Sequence, residues 1–143
     1  MIEYIALTNF FPFKERTEFS LKATKEKPRG TFSGEDWWTK IDGIKLLKAV
    51  FLLGNNGSGK TNFLNGLSVI NELVTVNRNS KQASRYRLPD VQFLLSEETK
   101  NAPSAIEVAF HTAGFRYTYS ISWTVDYILR SGCSVMRARK KRN

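Results

Sequence analysis

Cysteine, histidine, proline and long apolar runs are all scarce in this sequence. Cys133 is the only cysteine among 143 residues, so no internal disulfide can form. His111 is the only histidine and has no Cys or His neighbour at metal-ligand spacing, so a zinc site is not expected. The longest strictly apolar run, Ala49 to Leu53, is far shorter than the roughly 18 residues a membrane span needs. The opening MIEYIALTNF carries Glu3 where a signal peptide wants positive charge, and it offers no small-residue cleavage site. These absences set the expectation of a soluble cytoplasmic protein without membrane contact. A hydrophobic content of 41% is enough to build a packed core.

Acid is missing from one end. The net charge is +9. Residues 1–129 hold 16 Lys+Arg against 13 Asp+Glu, whereas residues 130–143 hold Arg130, Arg137, Arg139, Lys140, Lys141 and Arg142 with no acid. A disordered basic tail is the expectation for 130–143, and contact with nucleic acid is the alternative. A second basic stretch, with Arg78, Lys81, Arg85 and Arg87, reads as a surface loop that could also meet a polyanion.

Several segments carry pattern. Ile2 to Leu7 and Thr17 to Leu21 read as two strands, plausibly a hairpin, separated by NFFPFKE, in which Pro12 breaks regular pairing. Lys22 to Gly34 reads as a loop, with Pro28, Gly30 and Gly34. Trp37 and Trp38 read as packing aromatics, with base stacking as the alternative. Ile44 to Leu53 reads as one buried strand, because Ala-Val-Phe-Leu-Leu does not alternate, which suits a mostly parallel sheet covered on both faces. Phe63, Leu64, Leu67, Ile70, Leu73 and Val74 recur at helical spacing. Gly66 within that helix costs about 1 kcal/mol relative to Ala, or permits close approach to a strand. Farther on, Phe115, Tyr117, Tyr119, Ile121 and Trp123 alternate with polar residues after a turn at Gly114. With Ile106, Val108 and Phe110 they predict an antiparallel hairpin whose aromatic row faces the core rather than nucleic acid.

Between the apolar run and the helix lies GNNGSGKT. Gly54, Asn55, Asn56, Gly57, Ser58, Gly59, Lys60 and Thr61 fit the phosphate-loop pattern G-x-x-x-x-G-K-[ST] at every position. Glycines let the backbone curl so that successive N–H groups point at phosphate oxygens. The helix start adds free N–H groups and the positive end of its dipole. Lys60 would reach the β- and γ-phosphates, and Thr61 would offer its hydroxyl to Mg²⁺. This predicts a nucleotide, its base left open, gripped by a Walker A loop, with Asn62 immediately after it.

The order of these parts resembles a known family. A strand I-x-x-I-x-L-x-N-F, a second strand with F-x-L, and an apolar strand entering G-x-N-G-x-G-K-[ST]-N-x-L resemble the heads of ABC-like AAA ATPases, the set that includes SMC and RecF heads. Asn56, Asn62 and the later stretch PDVQFLLSEETKNAPSAIEVAFHTAGFRYTYSISW resemble the abortive-infection and OLD-like group of that set. The resemblance runs over residues 1–129 and implies an incomplete α/β P-loop NTPase fold with N-terminal antiparallel strands, a strand-loop-helix unit and an antiparallel arm. It further implies ATP hydrolysis, a head-to-head dimer around two nucleotides, and a partner chain in phage defence or a role of the DNA-repair type.

The resemblance also implies parts that are not identifiable. Trp123-Thr124-Val125-Asp126 makes a poor Walker B, with Tyr127 in place of the catalytic Glu. Leu129-Arg130-Ser131-Gly132-Cys133 only echoes a signature motif, Gln92 is a weak glutamine-loop candidate, and His111 precedes any possible Walker B. No catalytic residue is assigned. The expectation is a nucleotide-binding piece of an ATPase, inactive alone, whose text after about Leu129 reflects truncation or a shifted frame. Two other readings stay open: a nucleic-acid-binding module, and a small-molecule kinase using Arg85 and Arg87 as a lid.

Overall fold

The computed structural model describes residues 1–25, 37–75 and 88–137. The readings placed on Pro28, Gly30, Gly34, Arg78, Lys81, Arg85, Arg87 and residues 138–143 lie outside the described residues.

The first strand, β1 (Ile2–Thr8), alternates only in part, because it is interior to a sheet. It pairs antiparallel with β2 (Thr17–Ser20) on one side and with β5 (Ser104–Thr112) on the other. Strand β6 (Phe115–Trp123) returns beside β5, and β7 (Ile128–Arg137) returns beside β6. The five-stranded sheet therefore runs β2-β1-β5-β6-β7, with every pair antiparallel. The hairpin expected around Gly114 is present: Ala113 (φ 49°) and Gly114 (φ 77°) form the tight turn that the right-handed twist of paired strands favours.

A second, two-stranded sheet joins β3 (Trp38–Ile41) to β4 (Ile44–Leu47). Its turn, Asp42 (φ 53°) and Gly43 (φ 85°), is an Asp-Gly hairpin signal that the sequence carried openly and that the reading above passed over. Backbone bonds from Leu47 N to Leu21 O and from Ala23 N to Lys45 O tie this hairpin to the chain leaving β2. Trp38 is a packing aromatic, with the Lys45 ammonium 4.1 Å from its ring centroid.

The core lies on one face of the large sheet. Ile5, Leu7, Ile106, Val108, Ile121 and Trp123 are buried there, and helix α1 (Lys60–Thr75) covers them. Phe63 meets Phe19 with ring centroids 4.2 Å apart. A Cβ on Gly66 would sit 2.9 Å from Leu7 Cδ2, so the glycine lets the helix pack closely on β1. Gly66→Val is accordingly expected to cost about 2 kcal/mol by overpacking. Urea unfolding would check this, and Gly66→Ala should cost less because its gain in helix propensity offsets part of the crowding.

Three expectations need correction. The strand read over 44–53 stops at Leu47. Residues 48–53 form no strand, and Phe51 and Leu53 are 84% and 91% exposed. An apolar run becomes a buried parallel strand only beside parallel neighbours, and none is found among the described residues. The buried helical stripe is Phe63, Gly66 and Val69, flanked by Leu67 and Ile70, whereas Leu64 and Val74 are exposed. The tail expected to begin at residue 130 is instead strand β7 as far as Arg137, because its backbone pairs with β6 along that length whatever its charge.

The aromatic row of β6 does face the core side. Ile121 and Trp123 are fully buried there, and Trp123 donates from Nε1 to Pro89 O at 2.9 Å. Farther out on β6 the cover thins: Tyr117 is half-buried and stacks on Phe110, with centroids 5.3 Å apart.

Candidate phosphate-binding loop

Residues 54–59 connect segment 48–53 to the first turn of α1. Ser58 N donates to Asn55 O at 3.2 Å, closing a tight turn inside the loop. Gly57 (φ 81°) and Gly59 (φ 91°) take left-handed conformations that side chains disfavour. Gly54 has a different reason, since a Cβ there would sit 2.6 Å from Ser58 Oγ. At Gly59 a Cβ would meet Pro12 Cγ at 2.9 Å and Phe13 Cζ at 3.1 Å. The β1–β2 connection thus packs against the base of the loop.

Lys60 folds its ammonium back over the loop. Nζ donates to Gly54 O at 2.7 Å and Asn55 O at 2.8 Å, with Ser58 Oγ at 3.4 Å. One cation thereby braces the two ends of the curl. The first turn of α1 contains no acidic residue, so its free N–H groups and its dipole are not neutralised within the helix. Thr61 is exposed on that turn, and Asn62 accepts from Asn65 Nδ2 at 3.5 Å. Beside the loop lies a hollow of about 180 Å³, walled by Phe13, Phe19 and Phe63 and floored by Gly54, Ser58, Gly59 and Lys60.

All of the predicted loop residues therefore share one surface, with the glycines at the strained or crowded positions and the cation at the mouth. The remaining motif candidates do not join them. Thr124 to Tyr127 is a turn, closed by Thr124 N donating to Tyr127 O, so Asp126 ends no Walker B strand. Leu129 to Cys133 lies within β7, not at a helix start. Gln92 is buried, and its Oε1 has no hydrogen-bond partner.

Two clusters escaped the sequence reading. Asn9 (φ 47°) is a buried hub: Nδ2 donates to Thr99 O and Ala102 O at 2.9 Å, and Oδ1 accepts from Phe93 N at 2.9 Å. It fixes the end of β1, from which Phe10 and Phe13 reach the core and the loop. The second cluster centres on Glu3, which is fully buried. Its carboxylate accepts from Arg116 Nε at 2.7 Å, Lys22 Nζ at 2.8 Å and His111 Nε2 at 2.9 Å. Asp42 Oδ2 lies 3.4 Å from His111 Nδ1. His111 is thus a buried hydrogen-bond partner of Glu3 that links β5 to β1. A bulge where β1 meets β5, between Ile2 and Tyr4, turns Glu3 toward these partners, and no strand period announces a bulge.

Residues 49–132 match the protein family described as "AAA domain, putative AbiEii toxin, Type IV TA system". The chain belongs to this AAA family. The match spans the loop, α1, β5, β6 and the first part of β7, so family likeness continues past Leu129. No curated protein matches the chain. AAA membership agrees with a mixed α/β chain dominated by antiparallel strands and associates it with nucleotide-binding, ATPase-like function. No helix among the described residues is long and apolar enough to cross a membrane.

Proposed function

We propose that this AAA-family chain binds ATP with Mg²⁺ through Gly54, Asn55, Asn56, Gly57, Ser58, Gly59, Lys60, Thr61 and Asn62, as the phosphate-gripping part of a P-loop ATPase. The observation that carries the reading is the bracing of the loop by Lys60, at the N-terminus of a 16-residue helix. The residues present fit a triphosphate. The glycines leave backbone N–H groups free of covering side chains, Lys60 is a compact cation at the mouth, and Thr61 presents a hydroxyl one residue farther on. Bound Mg²⁺ would neutralise phosphate charge and be held by Thr61. Loop N–H groups and Lys60 would hold the β- and γ-phosphates, while Phe13, Phe19 and Phe63 would exclude water from one side.

Binding and turnover separate in this reading. Hydrolysis needs a residue that positions the attacking water. The residues considered for that work sit in a turn (Asp126), in a strand (Leu129 to Cys133) or in the core (Gln92). The chain alone therefore grips ATP and does not turn it over. Work in a toxin–antitoxin system accords with the family's description, and a head-to-head pair of nucleotide-bound chains and a partner chain in phage defence, implied by the resemblance to ABC-like ATPase heads, are further parts of the proposal.

Titration with a ribose-labelled fluorescent ATP analogue tests the binding. Mg²⁺-dependent saturation, reversed by ATP and by inorganic triphosphate, is the expected outcome. Labelled nucleotide that remains free at millimolar protein would overturn it.

A further inference from the structure

The connection from β1 to β2 is closed on itself. Phe10 N donates to Phe13 O and Phe13 N to Phe10 O, both at 3.0 Å, and Asn9 N donates to Lys14 O at 3.1 Å. Two of its residues stand in the left-handed region, Asn9 (φ 47°) and Phe11 (φ 48°). Asparagine tolerates that conformation, whereas phenylalanine is strained in it and stays only where its surroundings hold it. Those surroundings are distant in the chain. Val91 O accepts from Phe11 N at 2.6 Å, and Asn9 reaches Phe93, Thr99 and Ala102 through both ends of its amide. Ser104 Oγ donates to the Asn9 carbonyl at 2.6 Å.

The outer side of this turn meets Gly59. Pro12 Cγ and Phe13 Cζ would crowd a Cβ on that residue, at 2.9 and 3.1 Å. Gly59 (φ 91°) is the pivot between loop and helix, because its carbonyl accepts the first bond of α1, from Phe63 N at 2.9 Å. Its placement therefore sets the direction of the free N–H groups of Lys60 and Thr61. We infer that Asn9 is a positioning residue for the phosphate loop. It clamps the Phe10–Phe13 turn, the turn seats Gly59, and Gly59 aims the first turn of α1 at a phosphate. Asn9 itself touches no ligand. Its role in binding rests on the reading that the loop grips a nucleotide, whereas the link from Asn9 to Gly59 is observable without one.

Asn9→Asp tests the link, because aspartate keeps the shape and the tolerance for left-handed backbone but loses the two donated bonds. In nuclear magnetic resonance of the isotope-labelled full chain without nucleotide, the amide signals of Gly59 and Lys60 are expected to move. That of Gly114, in the turn at the far end of β5, should stay. MgATP should bind the folded variant about tenfold more weakly, the scale of loss when a group that orients a metal ligand is removed. A residue serving stability alone would lower the unfolding midpoint and leave both readouts unchanged. Pro12→Gly, at an exposed position, removes the contact with Gly59 directly; it should move the same amides, and it replaces Asn9→Asp if that variant fails to fold. Unmoved Gly59 and Lys60 amides, or unchanged MgATP affinity, in a folded variant would overturn the proposal. A wild type that leaves MgATP unbound would overturn the nucleotide reading instead, and the amide signals then decide the link by themselves.

Discussion

Glu3→Gln is expected to lower the stability of the folded chain by about 3 kcal/mol at neutral pH. Burial by itself disfavours the Glu3 carboxylate, but hydrogen bonds from Arg116, Lys22 and His111 outweigh it and hold its pKa at about 2, against an ordinary 4.5. That depression corresponds to about 3 kcal/mol of stability when the group is ionised. Glutamine keeps the shape and removes the charge, leaving Arg116 and Lys22 facing a neutral amide. The pH dependence has a fixed sign. A depressed carboxylate pKa means that the unfolded chain takes up protons first as pH falls. The contribution is therefore complete above about pH 4.5 and is lost between there and about pH 2. Wild type should lose stability steeply across that window, and Glu3→Gln should lack that share of the slope. Urea midpoints at pH 7, 4 and 3 would check it. Equal slopes in the two proteins would show that the cluster is not the acid-sensitive element.

Lys60→Ala is expected to weaken ATP binding about 100-fold, a loss of about 2.7 kcal/mol, in keeping with a charge-assisted contact to phosphate. Stability should change by less than about 0.5 kcal/mol, because Lys60 reaches only Gly54 O, Asn55 O and Ser58 Oγ on the exposed loop, and water can replace it there. Lys60→Arg should rescue little. A planar guanidinium cannot sit between Gly54 O and Asn55 O as a point charge does, and it would push into the space a phosphate needs. Isothermal titration with MgATP, run beside a thermal melt, separates lost binding from lost folding. Weak binding together with a large drop in Tm would assign Lys60 a structural role instead.

The legible parts of this molecule were those whose partners are near in sequence. The β5–β6 hairpin was read because its period-two pattern and its turn at Gly114 are local. The curl of the loop was legible because glycine reports directly on backbone conformation, and Gly57 and Gly59 take the left-handed φ it permits. The segment 48–53 was misread because the same apolar run serves a buried strand or an unpaired one, and only distant neighbours decide which. Strand β7 was hidden beneath a composition argument: basic residues suggested a tail, whereas the ladder to β6 needs only backbone. Asn9 and Glu3 appeared ordinary because most of their partners are distant in sequence: Phe93 lies 84 residues from Asn9, and Arg116 lies 113 from Glu3.

The central claim, that the chain grips ATP without consuming it, is tested most directly by mixing stoichiometric MgATP with the chain, removing free nucleotide, and identifying by chromatography what remains bound after hours. The expected result is one nucleotide per chain, still ATP, with none retained by Lys60→Ala. Bound ADP with released phosphate in wild type, absent in Lys60→Ala, would contradict it.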